Sequence, residues 1–256
     1  MKNFQTAYHT DIGIKKQTNQ DSILLNAIAV GQDEILLAVL CDGMGGMAKG
    51  ELASATVIRA FADWFQQIYA NDSEKRNVAK IKKQWTELIE NCNDKLIAHG
   101  KATNLQLGTT VTALLIWSAG SYFVGHIGDT RIYHLTGKLQ QLTDDHTFVA
   151  REVKRGNMTK EQAAKDNRRN VLLQCVGVNE SFEPQFCEGR IEVGEAFLMC
   201  SDGFRHEVTE EELLLHLSPS KLHQENQIMQ KLVELVELNK QRQETDNISA
   251  IYIKRI

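Results

Sequence analysis

Proline is nearly missing from this chain, with 2 in 256 residues, so proline-rich linkers and recognition segments are excluded. Cysteine is scarce: five stand at 41, 92, 175, 187 and 200, with no CxxC pair. That spacing excludes a disulfide framework and the usual zinc sites, and leaves reduced, mostly structural thiols. Positive charge is not in excess, with 29 Lys and Arg against 33 Asp and Glu and a pI near 6.1. No basic face for nucleic acid is expected. No apolar run approaches the roughly 18 residues that cross a bilayer. Residues 1–6 lack the apolar core of a secretion signal, so a cytoplasmic protein with no membrane partner is expected.

Among what is present, 42% hydrophobic and 24% charged residues describe a globular chain with a sizeable core. Runs at 22–30 and 34–41 read as strands. Over 51–69, Leu52, Ala55, Ile58, Phe61, Ala62, Phe65 and Ile68 recur at helical spacing. Over 73–99, Val78, Ile81, Trp85, Leu88, Ile89, Cys92 and Leu96 do the same. Each helix has one apolar stripe, which suits packing on a sheet. Short β-type runs follow at 109–117, 121–127, 131–135 and 138–142, then a polar, mostly helical insert at about 145–170. Strands return at 186–193 and 196–200, and the last is expected at 247–253. Thr159-x-x-Gln162 and Thr209-x-x-Glu212 are capping-box patterns that start helices. Hairpin-joined strands with helices in separate pairs predict an α+β layered domain.

Four aspartates stand at strand ends: Asp42 after 36–41, Asp129 after 123–128, Asp202 after 197–201, and Asp246 before 248–253. Taken singly, each reads more readily as a hairpin turn. In antiparallel sheets all four can gather on one edge, where unpaired carboxylates repel and take up protons. Divalent cations remove the conflict, and an all-oxygen set suits Mg²⁺ or Mn²⁺ better than Zn²⁺. Neither Cys-x5-Arg nor DxDxT occurs, so phosphatases with a cysteine or aspartate nucleophile are excluded.

The motifs taken together resemble the type 2C metal-dependent serine/threonine protein phosphatases in their compact bacterial form. Thr10-Asp11-Ile12-Gly13 with Asn19-Gln20-Asp21-Ser22 looks like the N-terminal motif, and Asp42-Gly43-Met44-Gly45-Gly46 with Gly50-Glu51 like the second. Leu107-Gly108-Thr109-Thr110, Gly128-Asp129-Thr130-Arg131 and Leu142-Thr143-x-Asp145-His146 match the middle motifs. Arg169-Asn170-Val171-Leu172, Ser201-Asp202-Gly203 and Asp246-Asn247-Ile248 match the last ones. The resemblance implies one catalytic domain over 1–256, a central sandwich of two antiparallel sheets flanked by helices on both faces. A flap subdomain at about 145–176 is also implied, although its polar composition fits a solvated helix pair equally well. It further implies a two-ion Mn²⁺ or Mg²⁺ centre that activates water: Asp42 bridging, the Gly43 carbonyl on one ion, Asp202 and Asp246 on the other. In bacterial members a third, weaker ion is often held through the positions of Asp129 and Asp202. Implied partners are phosphoserine and phosphothreonine proteins and an opposing kinase; a monomer is expected.

The chain departs from the family pattern at several places. Lys16 stands where an arginine usually grips the substrate phosphate, keeping the charge but losing the bidentate fork. We expect Lys16 to be the phosphate anchor. Gln20 replaces a common Glu, and Asp21 is expected to orient water beside the ions. Met44 stands where eukaryotic relatives carry a histidine proposed as general acid, and Met47 has no acidic proton; metal-bound water and His146 are the two alternative donors. Arg131 is expected to be a structural ion-pair partner. The competing function is a weakly active pseudophosphatase that binds phosphoproteins as an adaptor.

Overall fold

The computed structural model describes residues 3–31, 33–44, 49–71 and 74–256. Gly45, Gly46, Met47 and Ser73, named in the readings above, lie outside the described residues. Among the described residues, ten strands form two antiparallel five-stranded sheets. One has the order β2 (Ser22–Val30), β3 (Asp33–Cys41), β4 (Val111–Trp117), β5 (Ser121–Ile127), β8 (Gln185–Arg190). The other has β1 (Phe4–Asp11), β10 (Ile248–Arg255), β9 (Ala196–Cys200), β6 (Arg131–Leu135), β7 (Leu139–Gln141).

Strand β3 explains the layering. Leu36, Ala38 and Leu40 point to the second sheet, where they meet Phe197, Met199, Ile251 and Ile253. The alternate residues Ile35, Leu37, Val39 and Cys41 face outward onto Val57, Phe61 and Trp85. Both faces are covered, so the strand reads as an unbroken apolar run although its neighbours are antiparallel. The helices α1 (Gly50–Asp63) and α2 (Val78–Thr103) supply that outer cover. On the other side, α6 (Glu210–Leu217) and α7 (Glu225–Gln241) bury Leu213, Leu217, Ile228 and Leu232 against Leu198, Ala250 and Tyr252. The four-layer sandwich is as expected.

Local details differ from the sequence expectation. The helix over 51–69 runs as α only to Asp63 and widens into a π turn, Trp64–Tyr69. The wider turn lets adjacent Trp64 and Phe65 both point inward, with Trp64–Tyr69 and Phe65–Tyr69 ring centroids 5.0 and 5.6 Å apart. The next helix starts at Val78, where the Asn77 side chain accepts from the Lys80 N–H. Strand β1 was not anticipated: only Phe4 and Ala7 of its eight residues are buried, so no clear alternation marks this edge strand. The insert holds α3 (Phe148–Lys154) and α4 (Lys160–Lys165), and both capping boxes form. The five cysteines are free, and all but Cys187 are buried. Among the described residues no helix is long and apolar enough to cross a membrane.

Candidate active site

The strand ends deliver the aspartates to one edge. Asp42 leaves β3 with its backbone held three ways: its N–H donates to Thr110 Oγ1, while Thr110 N–H and Thr109 Oγ1 donate to its carbonyl, each at 2.9 Å. A Cβ on Gly43 would lie 2.5 Å from the Gly50 carbonyl oxygen and 2.6 Å from that of Gln20. Glycine is required there by close approach of backbone. At Gly128, with φ 115°, an added Cβ would lie 2.5 Å from Thr110 Cγ2, and the next residue, Asp129, adds its charge to that felt by Asp42. Asp202 opens a one-turn helix, α5 (Asp202–Arg205), rather than a hairpin.

Asn247 closes the arrangement. It is 2% exposed; its Oδ1 accepts from the Gln20 N–H at 2.9 Å, and its Nδ2 donates to the carbonyls of Ile12 and Thr18 at 2.9 and 3.2 Å. One side chain thus ties the loop carrying Lys16, Gln20 and Asp21 to the start of β10.

The electrostatics record how close the acids lie. Burial, then the charges of Asp21, Asp202, Asp129 and Asp246, pushes the Asp42 carboxyl well above the carboxylate range. Burial raises Asp21 to about 7, with Asp202 and Asp246 adding to it; the nearby hydroxyls of Ser249 and Ser201 restrain the rise but are bonded elsewhere and lie outside hydrogen-bond geometry to its oxygens. Asp129 also rises to about 7, through burial and the Asp202 charge, with Arg205 opposing. For Asp202 burial is outweighed by His206, Arg205, a hydrogen bond shared with Asp42 and the Gly203 N–H, so its carboxyl stays below the usual range. Lys16 Nζ lies 2.7 Å from Asp246 Oδ1. Burial alone would lower this amine, but Asp246, Asp42 and Asp202 hold its pKa up, so it is charged at neutral pH.

Three buried carboxylate oxygens, Asp21 Oδ1 and Oδ2 and Asp202 Oδ1, make no hydrogen bond. Uncompensated oxygens of this kind are costly, and an all-oxygen set crowded on one edge is the donor chemistry that hard divalent cations satisfy. As they stand, no three His, Cys, Asp or Glu side chains among the described residues converge closely enough to hold an ion. Lys16 sits on Asp246, and Asp42 is paired with Asp202.

Comparison with known proteins decides the family. The protein phosphatase 2C family model matches residues 13–239. The chain belongs to the protein phosphatase 2C family. A Streptococcus pyogenes serotype M6 protein named putative protein phosphatase 2C-type is 32% identical over 245 residues, 94% of this chain and 93% of its own. The S. agalactiae serine/threonine phosphatase superposes with a TM-score of 0.82 at 28% identity, covering 98% of this chain and 99% of that one. The catalytic domain of the serine/threonine phosphatase PstP, solved in complex with two manganese ions, gives 0.80 at 28% identity and 99% coverage of both chains.

Within this 2C-type chain the structure gathers Asp21, Asp42, Asp129, Asp202, Asp246 and Lys16 in one electrostatic cluster. Gln20, 9% exposed, is drawn into the loop's support rather than the cluster: its amide Nε2 donates to Glu51 Oε2 at 3.4 Å. Arg131 is the structural partner expected of it, gripping Asp145 through Nε and Nη2 at 2.8 and 2.7 Å. His146 is not placed as a proton donor. Its Nδ1 accepts from the Gly128 N–H at 3.2 Å, and burial holds its pKa below the ordinary value, so the ring is neutral at pH 7. The sequence reading missed His206 and Glu244. His206 lies four residues beyond Asp202, with Nε2 3.6 Å from Asp202 Oδ2 and Nδ1 3.3 Å from Glu244 Oε2. The i, i+4 spacing from Asp202 was the available signal, and it becomes one only once 202–205 is known to be helical.

Proposed function

We propose that this chain hydrolyses phosphoserine and phosphothreonine in proteins, using water activated at a pair of Mn²⁺ or Mg²⁺ ions, and so reverses a serine/threonine kinase. The observation that carries the reading is the buried aspartate cluster with three unpartnered oxygens beside a charged lysine. Asp42, the Gly43 carbonyl, Asp202 and Asp246 would hold the two ions, and Asp129 with Asp202 a third, weaker one. Bound there, divalent cations would lower the pKa of water and offset negative charge on the phosphoryl oxygens.

The chain's own groups supply positioning. Lys16 reaches the cluster from a flexible stem with its ammonium partly exposed, so it can leave Asp246 and bind a phosphoryl oxygen of the substrate. Asp21, with two free acceptor oxygens, orients water for in-line attack. Burial lowers the pKa of His206, but Asp202 and Glu244 outweigh it and raise it above the ordinary value, and the same contact favours Asp202 as the anion. Residues 145–176 form the flap of a single catalytic domain over 1–256, and the protein acts as a cytoplasmic monomer. Mn²⁺-dependent hydrolysis of p-nitrophenyl phosphate, abolished in Asp202→Asn, is the expected result. Turnover that survives in Asp202→Asn, or a manganese-saturated wild type without turnover, would refute it.

A further inference from the structure

We infer that the cleft beside α3 and α4 selects phosphoprotein segments carrying an acidic side chain near the phosphorylated residue; this rests on the phosphatase reading above. A cavity of about 940 Å³ opens between this segment and the body of the molecule. One end reaches Asp129, Arg205 and His206, so the space is continuous with the aspartate cluster. Its volume is far larger than a phosphate needs and falls in the range of sites that hold extended ligands. Leu173 and Pro184 give it an apolar lining against which a peptide backbone can lie.

Charge divides the cleft. Residues 145–176 hold seven Lys and Arg against four Asp and Glu, a net +3 in a chain whose total is −4. A strongly acidic body therefore carries one basic segment, placed over the route to the cluster. Part of that charge is neutralised internally: Glu152 takes Arg151 and Arg155, Asp166 takes Arg168, and Lys154 reaches Asp144 at 3.4 Å. Lys160 and Arg169 also line the cavity and make no ion pair among the described residues. From the body, Arg131 and Arg205 are taken up by Asp145, while Glu183 and Glu210 line the same cavity with no ion pair among the described residues. An acidic substrate residue is thus attracted to one wall and repelled by the other, which fixes how the segment lies as well as what it carries.

The test is kcat/KM on phosphothreonine peptides in which a single aspartate, moved through about four positions on either side, is compared with asparagine. Wild type is expected to favour aspartate at one or two of these positions by about fivefold, the effect of one or two partly exposed charge pairs, and less at high salt. Lys160→Glu removes or inverts the ratio, Lys160→Arg keeps it, and Glu183→Gln raises it. Each ratio is taken within one variant, so a general loss of activity does not imitate the effect. A wild-type ratio near one at every position, or an unchanged ratio in Lys160→Glu, overturns the inference while p-nitrophenyl phosphate turnover leaves the phosphatase reading standing. No turnover of peptide or p-nitrophenyl phosphate overturns both.

Discussion

Truncating Asn247 to alanine removes the clasp between the loop over 12–20 and the start of β10, and its magnitude follows from the bonds it makes. Three hydrogen bonds disappear, and the partners left behind are the N–H of Gln20, itself buried, and the carbonyls of Ile12 and Thr18. A net bond is worth about 1 kcal/mol, and a buried donor left without a partner costs about 1–3 kcal/mol. Ile12 is 39% exposed, so its carbonyl has access to water and contributes at the low end. The expected loss is roughly 3 kcal/mol, read as a lower urea midpoint at unchanged slope. Function should fall by more than global stability explains, because the loop places Lys16 and Asp21. At 15 °C, where the variant is folded, KM for p-nitrophenyl phosphate should rise about tenfold. Asn247→Asp sharpens the test: it keeps an acceptor for Gln20 but loses both donors and adds a carboxylate to a crowded acidic edge. It should therefore be no better than alanine. A loss under 1 kcal/mol with wild-type KM would show that the loop is held by other contacts and refute the reasoning.

Other outcomes follow from the same geometry. Lys16→Arg should lower KM by roughly threefold because a guanidinium fork grips phosphate through two bonds, and Lys16→Ala should raise it; a KM unchanged or raised in the arginine variant counts against Lys16 as the anchor. Asp21→Asn should stabilise the protein in a chelator at pH 7 by about 1–3 kcal/mol, since it removes a buried carboxylate without hydrogen bonds, yet gain less than wild type from added Mn²⁺ in a thermal-shift series. Destabilisation in the chelator would sink this. His126 is fully buried between Thr112 Oγ1, which donates to Nδ1 at 2.8 Å, and the Asp144 carbonyl, which accepts from Nε2 at 3.1 Å; burial lowers its pKa to about 3. The unfolded chain takes up this proton near 6.5 and the folded chain does not, so this group's stability is lost as pH falls. Between pH 7 and 5 wild type should lose about 2 kcal/mol more than His126→Gln in urea unfolding, and parallel curves would refute the assignment.

The layers were legible because burial on both faces writes itself into β3 and into the stripes of α1 and α2. The candidate ligands were legible for a different reason: each stands at a strand end beside a glycine or a short polar motif, and the order of those motifs is shared across a family. Partners set by tertiary contact were not. Nothing local marks Asn247 as a clasp on residues more than 200 positions earlier, or Glu244 as the acid that holds His206. Arg205 likewise donates to the Asp129 carbonyl at 3.0 Å across a turn that only the folded sheets create. The π turn escaped for a related reason. Its residues keep a helical pattern, and the extra residue in the turn is selected by the need to bury Trp64 and Phe65 together.

The buried acids also weigh between the two functional readings. A module that only bound phosphoproteins would gain from losing negative charge at the mouth of its site, and an amide at position 21 would satisfy the same volume without desolvating a carboxylate. Yet Asp21, Asp129 and Asp202 are each under 10% exposed, and Asp42 is crowded by all of them. Phosphate is itself an anion, so such an edge repels the ligand an adaptor would have to hold. On the proposed reading the arrangement would be stabilising only with cations joined to it, and cations there would bring the substrate and the water nucleophile together. With Lys16 as the proposed anchor in place of the usual arginine, the grip on the ground state would be weaker without touching that logic, so turnover with a raised KM is the reading that accounts for both features.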